Sequence, residues 1–240
     1  CQYNKCKHVF QGGSTMKIGV IGAGAMGTGI AQAFAQTEGF EVYLCPNNDS
    51  HVENAQKCKG KIANGFEKRI AKGKMNQIDA DAILGRITTG TKQICADCDL
   101  IIEAAAEDMK LKKDLFAQLQ GICKKEAIFA TNTSSLSITE IAAGLDRPVV
   151  GMHFFNPAPV MKLVEVIAGL NTPDEMVQKV IELSKQIGKV PVQVEESAGF
   201  VVNRILIPLI NEGIAILADG VASAEDIDTA MKLGANHPMG

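Results

Sequence analysis

The run Gly22-Ala-Gly24-Ala-Met-Gly27 separates a short β-branched stretch, residues 17–21, from a helical pattern through Ile30, Ala31, Phe34 and Ala35. Glycines at this spacing constrain the chain strongly. Gly22 permits a tight turn, Gly24 lets a pyrophosphate approach the backbone, and Gly27 lets the following helix pack close to the strand. A second strand at 41–45, reached after Gly39, completes a βαβ unit within about thirty residues, which implies parallel pairing. The start of the intervening helix turns unpaired N–H groups and a partial positive charge toward an anion. Gly22, Gly24, Ala25, Met26 and Gly27 are therefore read as a dinucleotide cradle.

Further strands are expected at 99–104, 127–131 and 149–154, each short and apolar enough to be buried on both faces. Helices are expected at 108–122 and 139–145, and again at 173–187, where Thr172 reads as N-cap, Pro173 as first helical residue and Gly188 as the stop. A long polar helix at about 50–74 carries only a thin apolar stripe of Val52, Ala55, Ile62, Phe66 and Ile70. The expected architecture is a doubly wound, Rossmann-type α/β domain over residues 16–190. After a strand at 190–194 only helices follow, one at 199–217 bent at Pro208 and one from Ser223, as N-cap, to Lys232. Residues 191–240 thus read as the start of an all-helical domain, expected to be truncated, and 1–15 as a leader outside the native fold with Met16 as the natural start.

With 46% hydrophobic and 21% charged residues, the chain of 240 can bury a full core. A net charge of -3 with scattered basic residues gives no pull toward nucleic acid. The longest apolar stretch, 200–217, is broken by Asn203, Arg204, Asn211 and Glu212, so it reads as a core helix and not a membrane span. Seven cysteines, an odd number at irregular spacings, point to a reducing compartment, by default the cytoplasm. Cys95 and Cys98 form a Cys-x-x-Cys without a second ligand pair at zinc-site spacing, and no metal is expected. Cys1, Cys6 and His8 could take up a metal adventitiously.

The stretch His153-Phe-Phe-Asn-Pro-Ala-Pro-Val-Met-Lys-Leu-Val-Glu165 puts an imidazole and a carboxylate on a proline-stiffened turn and the strand after it. A carboxylate beside a histidine fixes which ring nitrogen faces outward, as a general base acting on an alcohol requires. Alone, such a histidine is more often a satisfied core residue. With Asn156, the glycine turn and the string Ala130-Thr-Asn-Thr-Ser134-Ser-Leu136, however, the chain resembles the 3-hydroxyacyl-CoA dehydrogenase family, most of all the bacterial 3-hydroxybutyryl-CoA dehydrogenases. The resemblance runs from Met16 to Gly240, is most specific around 130–165 and 198–240, and is weakest between Pro46 and Thr91.

That resemblance implies that His153 takes the proton of a 3-hydroxyl, that Glu165 orients it, and that Ser134 and Asn203 hold the substrate's oxygens. It also implies that Glu107, Lys112, Ser134 and Asn156 contact NAD. On spacing alone, Glu107 and Lys112 read equally as a solvated face at the start of a helix. The basic cluster Lys68, Arg69, Lys72 and Lys74 lies on the polar helix where the family binds coenzyme A. The acid expected for the adenosine ribose, about twenty residues past the glycine turn, is missing: Tyr43-Leu-Cys45 runs into Pro46-Asn47-Asn48-Asp49. No arginine replaces it, so NAD is the expected cofactor, while nothing in the segment bars NADP. The implied substrate is an acyl-CoA of fatty-acid or butanoate metabolism, and the implied assembly, given a complete C-terminal domain, is a homodimer. The competing readings are a dehydrogenase of a free β-hydroxy acid, which relies on a catalytic lysine, and a non-catalytic nucleotide-binding relative.

Overall fold

The computed structural model describes residues 15–240; residues 1–14 of the expected leader, with Cys1, Cys6 and His8, lie outside the described residues. The chain forms two compact units, ending and beginning at Glu196 and Ser197. The first holds one sheet of eight strands, and the chain enters it through β1 (Met16–Ile21), α1 (Ala25–Ala35) and β2 (Phe40–Cys45). Next come α2 (Val52–Ala71), α3 (Gln77–Gly85), β3 (Ile87–Thr89), β4 (Leu100–Glu103), α4 (Met109–Ile122) and β5 (Ile128–Thr131). The unit closes with α5 (Ile138–Ala142), β6 (Val149–Phe154), β7 (Leu163–Ala168), α6 (Asp174–Gln186) and β8 (Val190–Glu195).

The spatial order is β3-β2-β1-β4-β5-β6-β7-β8, parallel except where β6 meets β7. Strand order reverses direction between β1 and β4, so a crevice opens there at the carboxyl ends of the strands. The central strands β4, β5 and β6 are buried along their whole length, because helices cover both faces. Alternation sorts their side chains. Ile18, Val20, Leu100, Ile102, Ala130, Val150 and Met152 join one cluster with Phe34, Phe66, Val177 and Val180 from α1, α2 and α6. The residues between them point to the opposite face, where Phe129 stacks on Phe116 of α4 with ring centroids 5.2 Å apart.

The glycine turn depends on two close approaches. A Cβ on Gly27 would sit 1.8 Å from the Gly22 carbonyl oxygen, so α1 can start against the end of β1 only with hydrogen there. Gly22, at φ +120, backs onto Ala104, whose carbonyl oxygen would lie 2.5 Å from an added Cβ. Gly24, by contrast, has nothing within 4 Å of an added Cβ.

Several elements differ from the sequence-based expectation. β8 pairs with β7 and belongs to the first unit, which therefore runs beyond residue 190. The helix expected at 50–74 ends at Ala71, because Gly73 takes φ +64 and closes it; Lys72 and Lys74 lie past its end. α3 and the edge strand β3 fill the segment after it, and neither was expected from the pattern. Thr172 does not cap α6: its hydroxyl accepts from Gly169 N and donates to the Val149 carbonyl, while Pro173 stands at the cap position.

The second unit consists of α7 (Val202–Ala218), with Pro208 inside it, and α8 (Ala224–Gly234), capped by the Ser223 hydroxyl accepting from Asp226 N. α7 is not the expected core helix. None of its residues is buried, and Ile205 and Ile214 are more than half exposed, since its apolar residues point to more sides than α8 alone covers. No helix of the described residues is long and apolar enough to cross a membrane.

The glycine contacts make a stability prediction. Gly27→Ala is expected to destabilise the fold by about 3 kcal/mol, because backbone must shift to admit the methyl. Gly24→Ala is expected to cost less than about 1 kcal/mol. Urea unfolding followed by circular dichroism separates the two; equal midpoints would contradict the packing argument.

Candidate active site

The carboxyl ends of β1, β4, β5 and β6 bring four pieces of sequence to one edge: the glycine turn, the segment 104–108, the turn 132–135 and the segment 153–156. Alternation decides which side chains share a face there. Glu103, Thr131 and His153 stand one residue out of step with the cluster that packs on α1 and α6, so all three project toward the α4 and α5 side.

His153 and Glu165 are register partners across the antiparallel β6–β7 pair. Directly opposite residues project to the same face at close range, and His153 Nδ1 lies 2.8 Å from Glu165 Oε2. Both are buried, at 6% and 1% exposure, which shields the contact from water. A carboxylate only accepts, so Nδ1 carries the hydrogen and Nε2 is left as the working nitrogen of the neutral ring. The Phe155 ring lies 4.5 Å from the imidazole, centroid to centroid, and limits its rotation.

A chain of three charges, two of them buried, anchors the neighbouring turn. Glu103, fully buried, accepts from Thr131 Oγ1 at 2.7 Å and from Ala105 N at 2.6 Å. The Lys112 ammonium donates to both its oxygens, at 2.9 and 3.0 Å, and stands 3.3 Å from Glu107. Glu107 Oε1 then accepts from the hydroxyls of Thr133, Ser134 and Ser135 and from the backbone N–H groups of Ser134 and Ser135. Burial pushes the Glu107 carboxyl up, but donation by Thr133, the Lys112 charge and donation by Ser134 and Ser135 outweigh it and hold the carboxyl below its ordinary value. Lys112 therefore does not lie on a solvated face: it is 1% exposed and neutralises two carboxylates.

Two further residues that sequence reasoning did not single out shape the site. Asn132 Oδ1 accepts from Phe154 N at 2.8 Å, tying the serine turn to the strand that carries His153. Lys189, on the turn between α6 and β8, donates to the carbonyls of Ala158 and Met161 at 2.6 and 2.8 Å, and burial holds its ammonium below the ordinary lysine value. It thereby pins the loop that joins β6 to β7, which includes Asn156 and its cis bond to Pro157. Glu103 had a signal, an acid ending a fully apolar strand, which must find a partner. Lys189 had none.

The start of α1 suits a phosphate group. Its N-cap is Gly24, no side chain caps the helix, no acid lies in its first turn, and Gly24 and Ala25 are exposed. Gly22, Gly24, Ala25, Met26 and Gly27 thus make one loop at the crevice, near the chain leaving β4. Lys68, Arg69, Lys72 and Lys74 are exposed at and beyond the end of α2. Asn203 stands in the first turn of α7, in the second unit. The five described cysteines, Cys45, Cys58, Cys95, Cys98 and Cys123, are buried free thiols.

Comparison with known proteins finds relatives over nearly the whole chain. The NAD binding domain of 3-hydroxyacyl-CoA dehydrogenase matches residues 17–197, and the C-terminal domain of the same enzyme matches 199–240. A 3-hydroxybutyryl-CoA dehydrogenase of Clostridioides difficile is 54% identical over 228 residues, which cover 94% of this chain and 80% of that protein. The mitochondrial hydroxyacyl-coenzyme A dehydrogenase of Homo sapiens is 41% identical over 226 residues, covering 92% of this chain and 72% of its own. The crystal structure of an (S)-3-hydroxybutyryl-CoA dehydrogenase from Ralstonia eutropha superimposes with a TM-score of 0.88 at 46% identity, over 95% of this chain and 80% of that one.

The depressed Glu107 carboxyl gives a pH prediction with a definite sign. Its stabilisation is present above the ordinary glutamate value of 4.5 and is lost as pH falls through the lower folded value. Glu107→Gln should therefore melt below the wild type at neutral pH, with the gap closing as pH falls below the ordinary glutamate value and the wild-type carboxyl protonates. A gap that stays constant across that range, followed by thermal melts, would contradict the assignment.

Proposed function

The chain belongs to the 3-hydroxyacyl-CoA dehydrogenase family, an oxidoreductase family, and we propose that it interconverts a short-chain (S)-3-hydroxyacyl-CoA with the 3-oxoacyl-CoA, using NAD. The substrate we infer is 3-hydroxybutyryl-CoA, the compound named for the relatives from Clostridioides difficile and Ralstonia eutropha. The single observation that supports the chemistry is the 2.8 Å contact of His153 Nδ1 with Glu165 Oε2 at the carboxyl edge of the sheet.

In the oxidative direction His153 Nε2 takes the proton of the 3-hydroxyl while hydride leaves carbon 3. The bound nicotinamide supplies the hydride acceptor. Glu165 accepts from Nδ1 throughout, which keeps Nε2 aimed at the substrate and balances the charge the ring gains. In the reductive direction the imidazolium returns its proton to the oxygen. Ser134, set by Glu107, and Asn203 hold the substrate's oxygens, where a fixed donor lowers the barrier by about 3 kcal/mol in well-studied oxyanion sites. The glycine loop holds the pyrophosphate, and Glu107, Lys112, Ser134 and Asn156 line the nicotinamide side, Lys112 through the charge it places behind Glu107.

We also propose a homodimer built through the helical unit, whose α7 exposes apolar side chains on its surface, and a reducing compartment such as the cytoplasm, in keeping with the buried free thiols. Butanoate or fatty-acid metabolism is the setting such a reaction serves. Among the described residues the buried lysines, Lys92, Lys112 and Lys189, are each engaged by carboxylates or carbonyls, which disfavours the catalytic lysine of a free β-hydroxy acid dehydrogenase.

The assay is NADH oxidation with acetoacetyl-CoA. His153→Gln is expected to lower kcat about a thousandfold with NADH binding retained, and Glu165→Gln to lower it by a smaller factor, about a hundredfold or less. Free acetoacetate should turn over far more slowly than its CoA ester. Unchanged turnover in His153→Gln would remove the imidazole from the reaction.

A further inference from the structure

Dinucleotide sites of this type select their cofactor at the end of the second strand. There an acid about twenty residues beyond the glycine turn accepts from the ribose hydroxyls and repels a 2′-phosphate. In this chain β2 ends at Cys45 and the next residue is Pro46, buried and without a polar side chain. The nearest carboxylate is Asp49, and a buried lysine occupies it. Asp49 Oδ1 accepts from Lys92 N at 3.0 Å and lies 3.1 Å from the Lys92 ammonium. The same ammonium donates to the Asn47 carbonyl at 3.1 Å, so Lys92, at 4% exposure, both neutralises the acid and fixes the shape of the loop.

What the loop presents instead is neutral. Asn47 and Asn48 are exposed, and the Asn48 side-chain oxygen Oδ1 accepts from Ser50 N and Ser50 Oγ within the turn. An amide side chain can accept from a hydroxyl or donate to a phosphate, so it favours neither form of the ribose. The two devices that distinguish the cofactors, a carboxylate acceptor and a like-charge repulsion, are thus both missing, one by replacement and one by neutralisation. On the reading that the glycine loop holds a nicotinamide dinucleotide, we propose that the adenosine end of this site does not discriminate against the 2′-phosphate, so that NADPH binds about as well as NADH.

The test is direct binding, by fluorescence titration of the chain with NADH and with NADPH at one fixed salt concentration. The two dissociation constants are expected to agree within about tenfold. Pro46→Asp, which places a carboxylate at the end of β2, should shift the ratio toward NADH by about tenfold or more. A wild-type preference beyond about tenfold for either cofactor overturns the inference and leaves the cofactor reading intact. Binding of neither overturns that reading itself. A folded Pro46→Asp with an unchanged ratio removes position 46 from the selection, and the wild-type ratio decides the main claim even if the variant does not fold.

Discussion

One cross-strand contact organises the chemistry proposed for this protein. His153 and Glu165 face each other because β7 runs against β6, and that reversal is the single antiparallel step in the sheet. A parallel partner would need a long crossover between the two strands, and the acid could not follow the histidine at so short a distance along the chain. The reversal costs the sheet little, since β8 resumes parallel pairing beyond it. What it gains is a carboxylate placed by backbone register, with no long flexible loop between it and the imidazole. Register is a rigid constraint, because a slip of one residue would send Glu165 to the other face.

A second set of charges, with Glu103 and Lys112 buried and Glu107 partly exposed, reaches the turn beside that pair. Glu103, Lys112 and Glu107 lie in series, and burying Glu103 and Lys112 would be costly if any buried group lacked a partner. None does: no buried side-chain nitrogen or oxygen among the described residues is without a hydrogen-bond partner. The series begins on β4, passes through α4 and ends on the turn that carries Ser134, whose neighbour Asn132 holds the backbone of the histidine strand. The positions of the serine and the imidazole are thereby set by one connected hydrogen-bond system, as a site requiring a fixed donor and a fixed base needs.

Much of the fold was legible because parallel, twice-covered strands read as apolar runs and because the glycine turn has steric requirements that few other junctions share. β1, β2, β4, β5 and β6 and the helices between them other than α3 follow from those two facts. The segment after Lys72 did not, since α3 is short with apolar residues spread around it and β3 is a three-residue edge strand, too short to show alternation. α7 read as a core helix because its composition is apolar, yet composition does not say whether a partner surface is present. At the site, His153 and Glu165 were legible as a pair, while the roles of Lys112 and Lys92 were not. Each is a lysine whose burial depends on a carboxylate supplied by another element, and spacing along one helix or loop cannot show that.

The account stands on the orientation of one imidazole, and nitrogen-resolved NMR of the His153 side chain measures it without reference to turnover. With the ring neutral, the hydrogen is predicted on Nδ1, donated to Glu165, with Nε2 unprotonated, and Glu165→Ala should let the other tautomer appear. A wild-type ring carrying its hydrogen on Nε2 would contradict the account, because the nitrogen meant to take the substrate's proton would already hold one.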